Sequence, residues 1–547
     1  METQRLRSRR SRRRARKKQI AWLIVIALVI GASIWTSILI ARRNEATMFA
    51  APAAEPGTRD PLDSAVNAKA IPANATKNLI LFVGHGYGIV PMTATRIYAK
   101  GEQGALTVDG FPETALVRTY SRNAQAGDSA AAMSAYMTGI KVDNEVLSQT
   151  ADTRPFDENG RPHAAHDETT CPSAGNGKPA TTLLELAKAS GRATGVVTTA
   201  RVTQAIAAAS YAHLCQRDGE NAIAAQLVPG GNGSNPRLGE GLDVIFGGGW
   251  QNFLPKDDPR GSVRNDSRDL FAEMRAKGYA VVGRQAELAA MTGASTIAAA
   301  TAGGSTAASP AASIGANAPP VGKLLGLFNR SGMGYDLDRL GSNEPGLVEM
   351  TTRAIHLLQR NPNGYLLVVE GGRIGEALDA SLARKALQDA VAFDDAIAAA
   401  LAKVRELDPD LANTTIVVTA DHDHTLVMNG TATLAGRTIE ARPGVLGLLR
   451  NYSEPTQSAL DASGRPFTTL VFGAGEKRIK GPRSQTPALN DLAIADKNYR
   501  YEAALEVVGA FGGADVMLFA IGANASRFHG TIDNTQVYGV LRGAMGL

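Results

Sequence analysis

The chain has 547 residues, 44% of them hydrophobic and 20% charged, a composition that supports a large buried core and excludes a disordered or fibrous protein. The formal net charge of +5 is unevenly placed: residues 1–18 hold ten Lys/Arg against one acid, Arg42 and Arg43 follow, and the rest of the chain is net acidic. A broad basic face for nucleic acid is therefore excluded. The basic tail of residues 1–18 runs into Ile20 to Ala41, an uncharged stretch long enough to cross a bilayer as a helix. Cationic residues crowd its N-terminal side. That bias predicts a signal-anchor over residues 19–41, with the N-terminus cytoplasmic and the following domain periplasmic or extracellular. A cleaved signal peptide is the alternative, with a cut among the small residues near Phe49 to Ala54. Residues 42–76, rich in Ala, Pro and Asn, read as a linker.

From Lys77 the pattern changes. Short apolar runs recur: NLILFV, TGVVTT, DVIF, GYLLVVE, TTIVVTA, TTLVFG and DVMLFA. Between many of them lie longer amphipathic stretches such as TTLLELAKAS, VEMTTRAIHLLQR and the segment from Asp379 to Leu407. Buried strands alternating with helices predict an α/β domain over residues 77–547, with a doubly wound, largely parallel central sheet and helices on both faces. Residues 292–320 are almost all Ala, Ser, Thr and Gly and read as an extended low-complexity insertion. Residues 426–496 are less regular and read as an elaboration at the edge. The two cysteines, Cys171 and Cys215, can form one disulfide in an exported domain or remain separate thiols.

Ligands of open α/β sheets collect at the carboxyl ends of strands. After NLILFV comes Gly84-His85-Gly86. After GYLLVV comes Glu370, then Gly371-Gly372-Arg373. After TTIVVTA comes Asp421-His422-Asp423-His424, and a few residues beyond DVMLFA comes His529. The chain has eight histidines, so half of them fall at these strand ends. A separate element is AQAGDSAAAMSAYMTG, where Asp128-Ser129 opens a helical run. A serine there is either a helix cap or a nucleophile whose hydroxyl a neighbouring metal ionises.

Taken together, these segments resemble the alkaline phosphatases. NLILFVGHGYG resembles that family's first metal loop and DSAAAMSAYMTGIK its nucleophile segment. VTTARVTQAIAAASYAHLCQR resembles the segment bearing its phosphate-binding arginine. DVIFGGG, VEGGRI, TADHDH and FHG follow in the family's order. The resemblance implies phosphate monoester hydrolysis through a phosphoserine at Ser129, with Arg217 gripping phosphate and Asp128 beside the serine. It implies Asp421 and His422 as ligands of the zinc beside the serine, Glu370 as a magnesium carboxylate, His424 as a nearby polar group and His529 as a ligand of an outer zinc.

Four positions depart from the family pattern. His85 stands where the family has an aspartate bridging zinc and magnesium. Gly375 and Asp379 stand where it has an aspartate and a histidine, and Ile206 where it has a magnesium-binding hydroxyl. An imidazole can hold one zinc but cannot bridge two cations. One consequence is a rewired site, with His85, Asp421 and His422 on an inner zinc and Asp379, His529 and Glu376 around an outer one. Another is a degenerate phosphatase that binds phosphate or metal with little turnover. In both, one or two zincs are expected and magnesium is lost or weak. The expected partners are a phosphate monoester or inorganic phosphate and the membrane; no nucleic acid is expected, and a homodimer is left open.

Overall fold

Runs of β-branched and aliphatic residues without charge cannot stay in water and have no polar face to expose, so they become interior strands. The computed structural model describes residues 75–291, 322–430, 433–440, 442–478, 480–485, 489–507, 509 and 511–547. The signal-anchor, nearly all of the linker and the low-complexity insertion lie outside the described residues. Among the described residues no helix is long and apolar enough to cross a membrane.

Ten strands make the central sheet: β1 (Asn78–Gly84), β2 (Glu113–Arg118), β3 (Ala193–Arg201), β4 (Val244–Gly248), β5 (Tyr279–Val282), β6 (Lys323–Leu327), β7 (Tyr365–Gly371), β8 (Thr414–Ala420), β9 (Val516–Gly522) and β10 (Gly530–Asp533). Their spatial order is β10-β2-β9-β8-β1-β7-β3-β4-β6-β5. All neighbours are parallel except the two pairings of β9, which runs antiparallel to β8 and to β2. The sheet is thus largely parallel, as expected, with one reversed strand. The middle strands β1, β7 and β8 are buried along almost their whole length.

Helices cover this sheet. The ones that bear on function are α1 (Ile89–Lys100), α2 (Ser129–Thr138), α3 (Ala205–Ala208), α4 (Leu347–Leu358), α5 (Gly372–Asp379), α6 (Ala383–Arg405) and α7 (Asn534–Met545). All ten residues of α2 are buried. Its side chains are mostly Ala and Ser, and their small size lets the helix enter the interior. The TTLVFG run does not join the central sheet. Its strand, Leu470–Gly475, pairs with Leu426–Met428 and Ala503–Glu506 in a separate three-stranded sheet, so the irregular stretch is a small subassembly of its own. Cys171 and Cys215 are bonded to each other, their Cα atoms 5.9 Å apart. The bond ties down the segment that leads to Arg217.

Candidate active site

Parallel strands β1, β7 and β8 end side by side. Gly84 is in register with Ala420 on one side and Gly371 on the other. The residues that follow, His85, Asp421-His422 and the start of α5, must therefore meet at one point on the carboxyl edge. His85, Asp421 and His422 are all buried and offer ligand atoms within 4.8 Å of one another, the single such group among the described residues.

Hydrogen bonds fix which nitrogen of each ring faces the site. His85 Nδ1 lies 3.3 Å from the carbonyl of Gly372, and His422 Nδ1 lies 2.7 Å from that of Asp423. A carbonyl oxygen only accepts, so Nδ1 carries a proton in each ring, and in the neutral ring Nε2 carries the lone pair. The Ser129 hydroxyl is 3.3 Å from His422 Nε2 and donates to it. Asp421 Oδ1 accepts the backbone N–H groups of Gly86 and His422, each at 2.9 Å. Its Oδ2 is buried, has no hydrogen-bond partner and lies 3.3 Å from His422 Nε2.

Burial pushes the pKa of His85 below the usual imidazole value, with Asp421 opposing in part. A neutral ring is the ligand form. For Asp421 burial acts upward, but His422, His85, the Gly86 N–H and the Ser129 hydroxyl together hold it below the usual carboxylate value.

Ser129 is the first residue of α2. The Asp128 carboxylate caps that helix, accepting from the Ala131 N–H at 2.8 Å. Its other oxygen accepts from Arg217 Nη1 at 3.0 Å. Burial alone would lower the arginine's pKa, yet Asp128 and Glu145 raise it well above the usual value. A fixed guanidinium beside a helix N-terminus is suited to hold an oxyanion next to the serine.

The remaining expected residues divide. Glu370, at the end of β7, is 1% exposed. Its carboxyl is hydrogen-bonded by Thr198 and the Ala207 N–H of α3, and burial pushes it up to about 8. Its Oε2 is without a partner. Ile206, beside Ala207 in α3, is buried and brings no oxygen. Asp379 closes α5 and pairs with His424 Nε2 at 3.2 Å. Glu376 is bound to Arg373.

His529 does not reach the site. β9 runs antiparallel, so its end at Gly522 lies beside Thr415, at the amino edge of the sheet. β10 then starts at Gly530 and runs back toward the carboxyl edge. His529 is exposed before that strand, its ring on the Ser526 carbonyl at 3.1 Å. Asp379, His529 and Glu376 are therefore not brought together as an outer metal group.

Two features were not legible in the residues. Gly375, one turn into α5, faces His85: a Cβ there would lie 2.3 Å from both Cγ and Nδ1 of the imidazole. His85 and Gly375 are thus one steric unit. Phe511 packs edge-on against His422, ring centroids 4.7 Å apart, and nothing in its sequence surroundings singles it out.

The sequence profile of alkaline phosphatase matches residues 76–299 and 314–547. The chain belongs to the alkaline phosphatase family. Among curated relatives, the tissue-nonspecific alkaline phosphatase of Gallus gallus is 32% identical over 516 residues, covering 88% of this chain and 86% of that one. The alkaline phosphatase of Gadus morhua is 32% identical over 505 residues, covering 87% and 93%. Among solved structures, the alkaline phosphatase of Thermus thermophilus superposes with a TM-score of 0.58 at 23% identity, covering 91% of this chain and 96% of that one. That of the Antarctic bacterium TAB5 gives 0.55 at 20%, covering 86% and 98%. The α/β architecture is that of alkaline phosphatases.

Proposed function

We propose that this alkaline phosphatase family member hydrolyses phosphate monoesters through a phosphoserine at Ser129, beside a single zinc held by His85, Asp421 and His422. Two facing lone pairs support the zinc most directly. His422 Nε2 and Asp421 Oδ2 are both acceptors, both buried, and 3.3 Å apart. With His422 neutral, that contact is repulsive unless a proton or a metal cation lies between them. Two imidazole nitrogens and one carboxylate oxygen make the donor set of a catalytic zinc. When bound, the zinc would supply positive charge that favours the ionised serine oxygen.

The chain's own groups carry the steps. Arg217 and the first turn of α2 hold the phosphoryl oxygens. Ser129 Oγ attacks phosphorus as its proton leaves to bulk water, and the ester P–O bond breaks to release the alkoxide, which water protonates to the alcohol. Water then attacks the phosphoserine, and inorganic phosphate departs as Ser129 regains its proton. Purified protein is expected to contain about one zinc per chain, with hydrolysis of a simple aryl phosphate lost on chelation and restored by zinc. Activity that persists fully in metal-free protein would contradict this reading.

We also propose that the domain is held outside the cytoplasm by the N-terminal signal-anchor. The charge bias around residues 19–41 supports this, as does a disulfide, which persists in oxidising compartments. Full-length protein is expected to sediment with membranes, with its domain open to protease added from outside. Recovery in the soluble cytoplasmic fraction would refute it.

A further inference from the structure

Glu145 lies in the loop after α2, where its backbone joins the two halves of the phosphate grip. Its N–H donates to Asp128 Oδ2 at 2.9 Å, and its carbonyl accepts from the Arg217 N–H at 2.8 Å. It does so with φ of 77°, a left-handed conformation that glycine adopts freely and glutamate does not. A loop that needed only this backbone shape would be served better by glycine. The presence of a carboxylate there points to the side chain.

That side chain is half-buried and turned back toward the grip. Its Oε2 accepts from Gln216 Nε2 at 3.3 Å, in the residue before Arg217. The charged groups that face it are Arg217 and Asp218 from that segment and Asp128 from the turn before α2.

We propose that Glu145 is a positioning residue that weakens the hold of Arg217 on phosphate dianions, so that inorganic phosphate is released. Its anionic form shares the guanidinium's field with Asp128 and repels a second dianion brought to the same place. Its neutral form does not. Burial, with Asp128 and Asp218, pushes the carboxyl up, Arg217 and Gln216 act downward, and the balance is about 7. The release device is therefore engaged above neutral pH and disengaged below it. Product release limits many hydrolases, so a weaker grip on product raises turnover.

This inference rests on the reading of Arg217 as the oxyanion grip, and one experiment separates the two. Sulfate is the probe, because it stays a dianion across the range where phosphate itself titrates. Its binding to purified full-length protein is measured by calorimetry for wild type, Glu145→Gln, Glu145→Gly and Arg217→Ala. At about pH 8.5, Glu145→Gln should bind sulfate about tenfold more tightly than wild type, the effect of one charge removed near the site. At about pH 5.5 the two should agree to within about twofold, because the wild-type carboxyl is then neutral. Groups common to both proteins cancel in the ratio. Glu145→Gly, which also relieves the positive φ, should show the same pattern and covers the case in which the Gln variant folds poorly. An equal ratio at both pH values would overturn the proposal, since a merely structural role predicts no pH dependence. Loss of binding in Arg217→Ala with no effect of Glu145→Gln would refute this inference alone. Unchanged binding in Arg217→Ala would refute the grip itself.

Discussion

Replacing Ser129 by alanine is expected to lower turnover of a simple phosphate monoester by at least about a thousandfold, because the covalent route through the serine oxygen is closed. The substitution is mild for the structure. Ser129 is the first residue of α2, its helix is capped by Asp128, and the residues after it are already alanines. Its hydroxyl makes its contact with His422 Nε2. Removing it leaves His85, Asp421 and His422 in place, so zinc content should stay at the wild-type level. Sulfate and inorganic phosphate should still bind, since Arg217 remains paired with Asp128. This split, with chemistry lost and binding kept, distinguishes a nucleophile from a helix-capping serine, whose loss would instead appear as a lower melting temperature. Measured kcat alongside melting and zinc analysis decides between them.

The second large effect is expected at Gly375. Aspartate placed there alone must displace the His85 ring, because its Cβ would lie 2.3 Å from two ring atoms and both groups sit on buried backbone. Overpacking of this kind costs about 1–3 kcal/mol, and a displaced ring no longer ligates. Gly375→Asp is therefore expected to weaken zinc binding by at least about tenfold and to lower the melting temperature. In the double variant His85→Asp with Gly375→Asp the ring is absent and the clash with it. The double variant should thus melt close to wild type, a strongly non-additive pair. Titration with zinc and thermal melts of the two single variants and the double variant test this. A Gly375→Asp protein that melts and binds zinc like wild type would show that His85 does not occupy the position described.

Much of this site could be read before the fold was known. Strand ends announce themselves when an apolar run stops at a polar ligand type, and His85, Glu370 and Asp421-His422 all fall at one edge of the sheet. Ser129 and Arg217 followed from the order of segments. Strand direction is what the residues do not encode. DVMLFA looks like any other buried run, yet β9 is reversed, and a reversed strand delivers His529 to the opposite edge. Short strands were also missed. Glu113–Arg118 carries charge at both ends, and Gly530–Asp533 has four residues, too few for a periodic signal. TTLVFG shows the converse case, a convincing strand that belongs to another sheet. The steric coupling of His85 with Gly375 and the clasp made by Glu145 are contacts between distant segments. Such contacts have no signature in a single sequence.

The central claim is that phosphoryl transfer passes through Ser129. Its most direct measurement is rapid acid quench of the zinc-loaded protein during turnover of a phosphate monoester, followed by peptide mass spectrometry. A phosphoryl group is expected on the peptide containing Ser129 and is expected to be absent from the Ser129→Ala protein. Steady hydrolysis with no phosphorylated peptide, or with the phosphoryl group on another residue, would contradict it.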